Sequence, residues 1–341
     1  MTQPLTNVLQ MTLSQSNNQS TSSPSTVPCT STSTPPVRPP HSISICLVAA
    51  YTITLLLFFL SSNHSLGTGT DLSTFFAKYS GGIQPSGKSF TAGLALAWCT
   101  SGAGTMAGIA GALAGSVPAA TYLRHWGIAM PISWACSAAF ILCISYSVSW
   151  LALILECCAV LAASPAWYNV ANVVVSHRID FDPTTASPSA TRVQLNRNFF
   201  LDLHTARDRL TFLYYFFLFH VPTSMYFGIQ LVVTLATIMA TGNDMHVVDF
   251  VEDRGTNPYV AALLISMVVI VVLLTGALGV WKNDVVLQTT VVVALLSMLE
   301  NKSQSPALRL GILIAAGALA FCTLVVGTNM IRATLARRRQ R

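Results

Sequence analysis

Residues 310–331 form an uncharged, apolar run, and Arg332, Arg337, Arg338, Arg339 and Arg341 follow it. About 20 apolar residues in a helix cover a hydrocarbon core of ~30 Å. A basic cluster just after such a helix marks its cytoplasmic end. This run sets the orientation of one crossing, and every earlier segment must thread back from it.

The composition extends that constraint to the whole chain. Of 341 residues, 52% are hydrophobic and only 9% charged, against roughly a quarter charged in soluble domains. Most of the chain is therefore unsuited to water, and the expectation is an integral membrane protein. The net charge of +6 sits largely in the tail and one internal loop. It reads as a topology signal, because no basic stripe interleaved with aromatics indicates nucleic acid. The lipid bilayer is the expected partner.

Residues 1–42 are rich in Ser, Thr and Pro, with Arg38 the only charge. Such a composition buries too little apolar surface to fold, so a disordered tail is expected. It lacks the charged start and early apolar core of a cleaved signal peptide, and organelle import is a minority reading. Residues 43–60 make the first span. Asn63-His64-Ser65 follows, an N-glycosylation pattern, and Asn301-Lys302-Ser303 is a second one. Between residues 82 and 89, GIQPSGKS matches the phosphate-binding P-loop letter for letter. No αβ unit surrounds it, so the match is attributed to chance.

Residues 90–116 are mostly Gly, Ala, Ser and Thr. Gly104, Gly108, Gly111 and Gly115 recur on one helix face. Small faces let helix backbones approach closely in lipid, within the bundle or in a homo- or hetero-oligomer. Residues 128–163 then stay apolar for about two bilayer thicknesses. Two spans, near 128–145 and 148–163, are expected, although the junction lacks Gly, Pro and Asn. Glu156 falls inside the second span, where a carboxylate is costly and often functional; an interfacial position is the bland alternative.

The hydrophilic loop at 166–210 carries Arg178, Arg192, Arg197, Arg207 and Arg209, which place it in the cytoplasm. Its second half has the spacing of an amphipathic surface helix. A long span at 211–240 contains His220 and Pro222. His220 reads as a proton relay or as a hydrogen-bonded bundle residue. An acidic loop at 242–258, spans at 259–281 and 285–299 and the final span complete the chain. Eight cysteines include Cys157 and Cys158, a lipidation candidate if they lie at a membrane edge. No CxxC pair or zinc-like cluster occurs, so no metal and no cofactor is implied.

The expected fold is an all-α polytopic membrane helical bundle of about eight transmembrane helices. Seven is the alternative, with 128–163 as one helix. The helical domain covers 43–331 and the basic cytoplasmic tail 332–341, in the plasma membrane or an endomembrane. The leading functional expectation is a transporter or channel-like protein for a small solute or ion, with Glu156 and His220 as its polar site. A non-catalytic assembly or envelope-type protein packing through its glycine face is the second reading, and a seven-span receptor the third. No HExxH, GxSxG or paired intramembrane aspartates point to an enzyme.

Overall fold

The computed structural model describes residues 41–62, 75, 87–114, 117–176, 213, 216–245, 258–299 and 305–339. All belong to the compact unit Pro36–Arg341. Asn63, Asn301, Gly115, residues 82–86 of the P-loop-like stretch, the arginine-bearing loop beyond residue 176 and the acidic loop 246–257 lie outside the described residues.

Every described element is a helix: α1 (His41–Ser62), α2 (Gly87–Leu113), α3 (Val117–Trp126), α4 (Ala129–Ser145), α5 (Ser149–Ser176), a π-helical turn (Phe216–His220) leading into α6 (Val221–Asp244), α7 (Pro258–Lys282), α8 (Val285–Met298) and α9 (Pro306–Arg339). Five stretches are long and apolar enough to cross a membrane: Ser44–Ser61, Ser149–Asn172, Phe216–Asp244, Ala261–Lys282 and Pro306–Arg332. Ala129–Ser145 and Val285–Met298 are shorter apolar helices. These features are those of an α-helical membrane protein. α6 is the central element, since most of its residues are buried on all sides.

The apolar stretch 128–163 is broken into two helices, α4 and α5. Ser147 takes a left-handed φ of 58°. The Val148 N–H reaches the Cys143 carbonyl at 2.8 Å and the Ser147 N–H reaches that of Ile144 at 2.9 Å. This is the Schellman stop, normally built on glycine. The same stop ends α7: Asn283 has φ 52°, and the Asp284 N–H meets the Gly279 carbonyl at 2.9 Å. α3 ends on Gly127, φ 53°, in the simpler left-handed cap. The single-helix reading of 128–163 therefore falls.

Two other expectations shift. Residues 121–126, which lie between the expected spans 90–116 and 128–163, belong to the helix α3. α5 runs to Ser176, past the expected end at 163, with Pro165 inside it. Proline cannot donate to the carbonyl four residues back, which here is Leu161. The Ser164 hydroxyl donates to that carbonyl at 2.9 Å instead, so the helix continues.

Two sets of contacts define the two ends of the bundle. At one end the Ser145 hydroxyl donates to Ser61 at 3.2 Å, the Thr241 hydroxyl to the Ser149 carbonyl at 3.1 Å, and the Ser149 hydroxyl to the Asp244 carboxylate. At the other end the Asn169 amide donates to the His125 carbonyl at 3.2 Å. The Lys282 ammonium there donates to Asn172 at 2.6 Å and sits 3.9 Å from the ring centroids of Tyr168 and Trp281. Consecutive helices α4, α5, α6 and α7 thus run alternately between the two ends. Burial pushes the His125 imidazole below its ordinary value.

The glycine face of α2 is used inside the chain. Pro222 has no N–H to offer the Leu218 carbonyl, and that oxygen lies against Gly104, where a Cβ would overlap it. A Cβ at Gly108 would press on the Phe219 ring at 2.8 Å. Gly111 is half-buried. Gly102, on another face, faces the Tyr51 ring. Gly104→Ala is expected to cost about 3 kcal/mol, the upper range for overpacking, because a backbone carbonyl cannot swing aside. Gly93→Ala, which meets open space, should be neutral or slightly stabilising. Thermal midpoints of the two variants in detergent, compared side by side, check the contrast.

Candidate functional site

α6 and the π turn before it carry polar side chains into the middle of the bundle. A single helix in lipid needs no such groups, and each must find a partner from a neighbour. They fall into two clusters, and one further buried acid, Glu156 on α5, stands apart as an exception.

The first cluster surrounds Asp284, which is fully buried. Its carboxylate accepts from the Trp167 indole N–H at 2.7 Å, the Ser224 hydroxyl at 2.6 Å and the Leu287 N–H at 3.0 Å. His220 Nε2 lies 3.4 Å away. Asp284 is thereby the N-cap of α8, a position that favours Asp because its oxygen satisfies an orphan helix N–H. Burial by itself would raise this carboxyl. The charge at His220, then hydrogen bonds from His220, Ser224 and Leu287, outweigh burial and hold it down to about 2. One helical turn further on, the Trp126 indole donates to Thr223 at 2.9 Å, and Trp126 packs edge-on against Phe219. His220 Nδ1 has no partner.

The second cluster is a knot of neutral groups between α4 and α6. The Tyr226 hydroxyl is 2.9 Å from Ser133 and 3.0 Å from Ser137. The Gln230 amide donates to Ser137 at 2.7 Å and to Tyr226 at 3.0 Å. Ser133 closes the knot by donating to the Ala159 carbonyl of α5 at 2.7 Å. With the Ser133 proton committed to that carbonyl, Tyr226 donates to Ser133 and Ser137 to Tyr226, so the knot runs in one direction.

The exception is Glu156. It is fully buried, and neither carboxyl oxygen has a hydrogen-bond partner. It lines a void of about 10 Å³ together with Leu94, Trp98, Ser137, Phe140, Ile141, Gln230 and Val233. That volume is about one water molecule's worth. The Trp98 indole N–H is also buried without an acceptor. Two unsatisfied polar side chains on one small void are unusual, since native interiors leave few such groups.

Glu156 and His220, the pair expected to share a site, are separated. Glu156 stands at the level of Gln230 and Val233, and His220 precedes Gln230 by ten residues, about 15 Å along a helix. Asp284 is His220's partner instead. In sequence Asp284 reads as a residue of the turn between the expected spans 259–281 and 285–299, and nothing in its neighbourhood reveals its pairing with His220. Gln230 and Tyr226 were more legible, as polar groups inside an apolar span. Glu156 is buried within the bundle, in a helix that extends well past its expected end at 163. Cys136 lies on α4 and Cys157 and Cys158 on α5; all three thiols are free, and no group of three or more metal-binding side chains occurs among the described residues. The chain matches no protein-family model, no curated protein and no solved structure.

Proposed function

We propose that this multi-pass membrane protein moves a small ionic species through its bundle, with Glu156 as the ionisable site. The observation that carries the reading is the fully buried carboxyl group with both oxygens unpartnered. An uncompensated buried carboxyl costs stability. Helix packing gains nothing from it, and a carboxyl that binds and releases a charged species does. The polar groups above and below Glu156 on α6 give the species a stepwise route. In this reading α1, α2 and α4–α9 are eight crossings, and the termini of the bundle face the cytoplasm. The assembly alternative loses part of its support, because the packing at Gly104 and Gly108 is met by Leu218 and Phe219 of the same chain.

Two measurements test this. In liposomes carrying the full chain, a pH or salt gradient should drive flux that Glu156→Gln reduces to the rate of protein-free vesicles; unchanged flux in the variant ends the reading. For the topology, a glycosidase mobility shift should persist in Asn63→Gln and in Asn301→Gln and vanish only in the double substitution. A shift that depends on Asn301 alone would count against eight crossings.

A further inference from the structure

Resting on the transport reading above, we infer that the species bound at Glu156 is a proton, relayed through the Ser137–Tyr226–Ser133 hydroxyls, and not a metal cation. Three observations carry this. The void holds about one water molecule, whereas hard cations take six or more oxygen ligands or keep a shell of waters. The groups around it are wrong for a cation: the Trp98 indole is a donor only, and the Gln230 amide nitrogen already donates to Ser137 and Tyr226. No second carboxylate lines the void with Glu156 among the described residues. The hydroxyls, by contrast, form a run at 3.0 and 2.9 Å in which Ser137 donates to Tyr226 and Tyr226 to Ser133, whose own proton goes to the Ala159 carbonyl.

The titratable groups that sense Glu156 are Tyr226 on α6, Cys136 on α4 and Cys157 on its own helix. None supplies a positive charge, and from α2 the void is lined by Leu94 and Trp98. Binding is then a simple transfer. A proton from water or from a hydroxyl of the knot bonds to one Glu156 oxygen and neutralises the carboxylate. On release it passes to an oxygen lone pair, and that oxygen hands its own proton onward. The void has room for one water between Glu156 and Ser137 during that transfer. No heavy-atom bond changes and no oxidant is required.

Dicyclohexylcarbodiimide tests this on the full chain in liposomes. The reagent reacts with a protonated carboxyl in an apolar setting: the acid's proton goes to a carbodiimide nitrogen and the carboxyl oxygen bonds to its central carbon. Peptide mass spectrometry should locate the adduct at Glu156 and find none at that position in Glu156→Gln. Labelling should fall about tenfold per pH unit above its midpoint and be indifferent to sodium or potassium chloride. Protection by either salt at constant pH would overturn the proton assignment in favour of a cation. Absence of labelling at every pH would overturn it too. Tyr226→Phe should slow the uptake of a proton measured after a pH jump, and an unchanged rate would remove the knot from the route. Failure of the transport reading is distinguishable: pH-dependent labelling without flux leaves a proton site in a protein that does not transport, while salt-protected labelling with flux leaves transport of another ion.

Discussion

Glu156→Met is expected to raise the thermal unfolding midpoint of the detergent-solubilised protein, even as it removes function. Methionine matches the length of the glutamate side chain and carries no group that demands a partner. The wild-type carboxyl is wholly buried and unpartnered, a state that costs about 1–3 kcal/mol relative to a satisfied or apolar neighbourhood. Recovering about 2 kcal/mol would shift the midpoint by about 2–4 °C upward. Glu156→Gln gives a separate reading, because its amide adds donors beside Ser137 and Gln230 without relieving burial. It should leave stability near that of the wild type. A midpoint lowered by several degrees in Glu156→Met would mean that the carboxyl is bonded in the folded protein, and the site would then be structural. Few native residues are held against stability without a use, which makes this substitution informative.

The opposite outcome is expected at Asp284. Asp284→Ala removes four interactions at once: the cap of α8 and the contacts of Trp167, Ser224 and His220. Loss of a cap alone costs about 1 kcal/mol. Leaving the partners of a buried charged group unpaired brings the total to about 3–5 kcal/mol, a large part of a typical folding free energy of about 5–15 kcal/mol. The variant should accumulate poorly and unfold at much lower temperature. Asp284→Asn keeps an acceptor for Leu287 and should fall between the two. The same carboxyl sets an acid limit. Its folded value, about 2, is depressed from an ordinary value of about 4. Its stabilisation is therefore complete above the ordinary value and is lost as pH falls through the folded one. Acid titration of unfolding should show that loss in the wild type and a weaker one in Asp284→Asn. Equal profiles would show that the carboxylate carries no net charge-dependent stability.

Two stability changes of opposite sign at two buried acids distinguish their roles. Asp284 is held by partners that close a helix turn. Glu156 is held in place by the burial of its helix alone, and its oxygens stay available for a ligand.

Apolar run length and charge scarcity were enough to specify an all-helical membrane architecture, because both report on the solvent the chain must meet. Length also required 128–163 to fold back, since one helix of that size would overshoot a bilayer. The position of Glu156 within an apolar segment was visible as well. The means of folding back was not: Ser147 adopts the left-handed conformation that glycine usually supplies, and no residue preference announces it. The rescue of Pro165 by Ser164 was hidden for a similar reason, as the hydroxyl acts only once the helix exists.

The rest depended on which helices became neighbours. The glycines of α2 signalled a close approach, but only packing against the π turn identified the Leu218 carbonyl as what approaches Gly104. His220 found Asp284, 64 residues later, and the Tyr226 knot drew on α4, α5 and α6. Such pairings are set by side-chain fit between elements distant in sequence. Hydropathy and spacing describe each helix against its solvent, so they determined which segments are apolar enough to cross a membrane and that an acid lies within one of them. Tertiary packing alone decided that one buried acid is satisfied and the other left open.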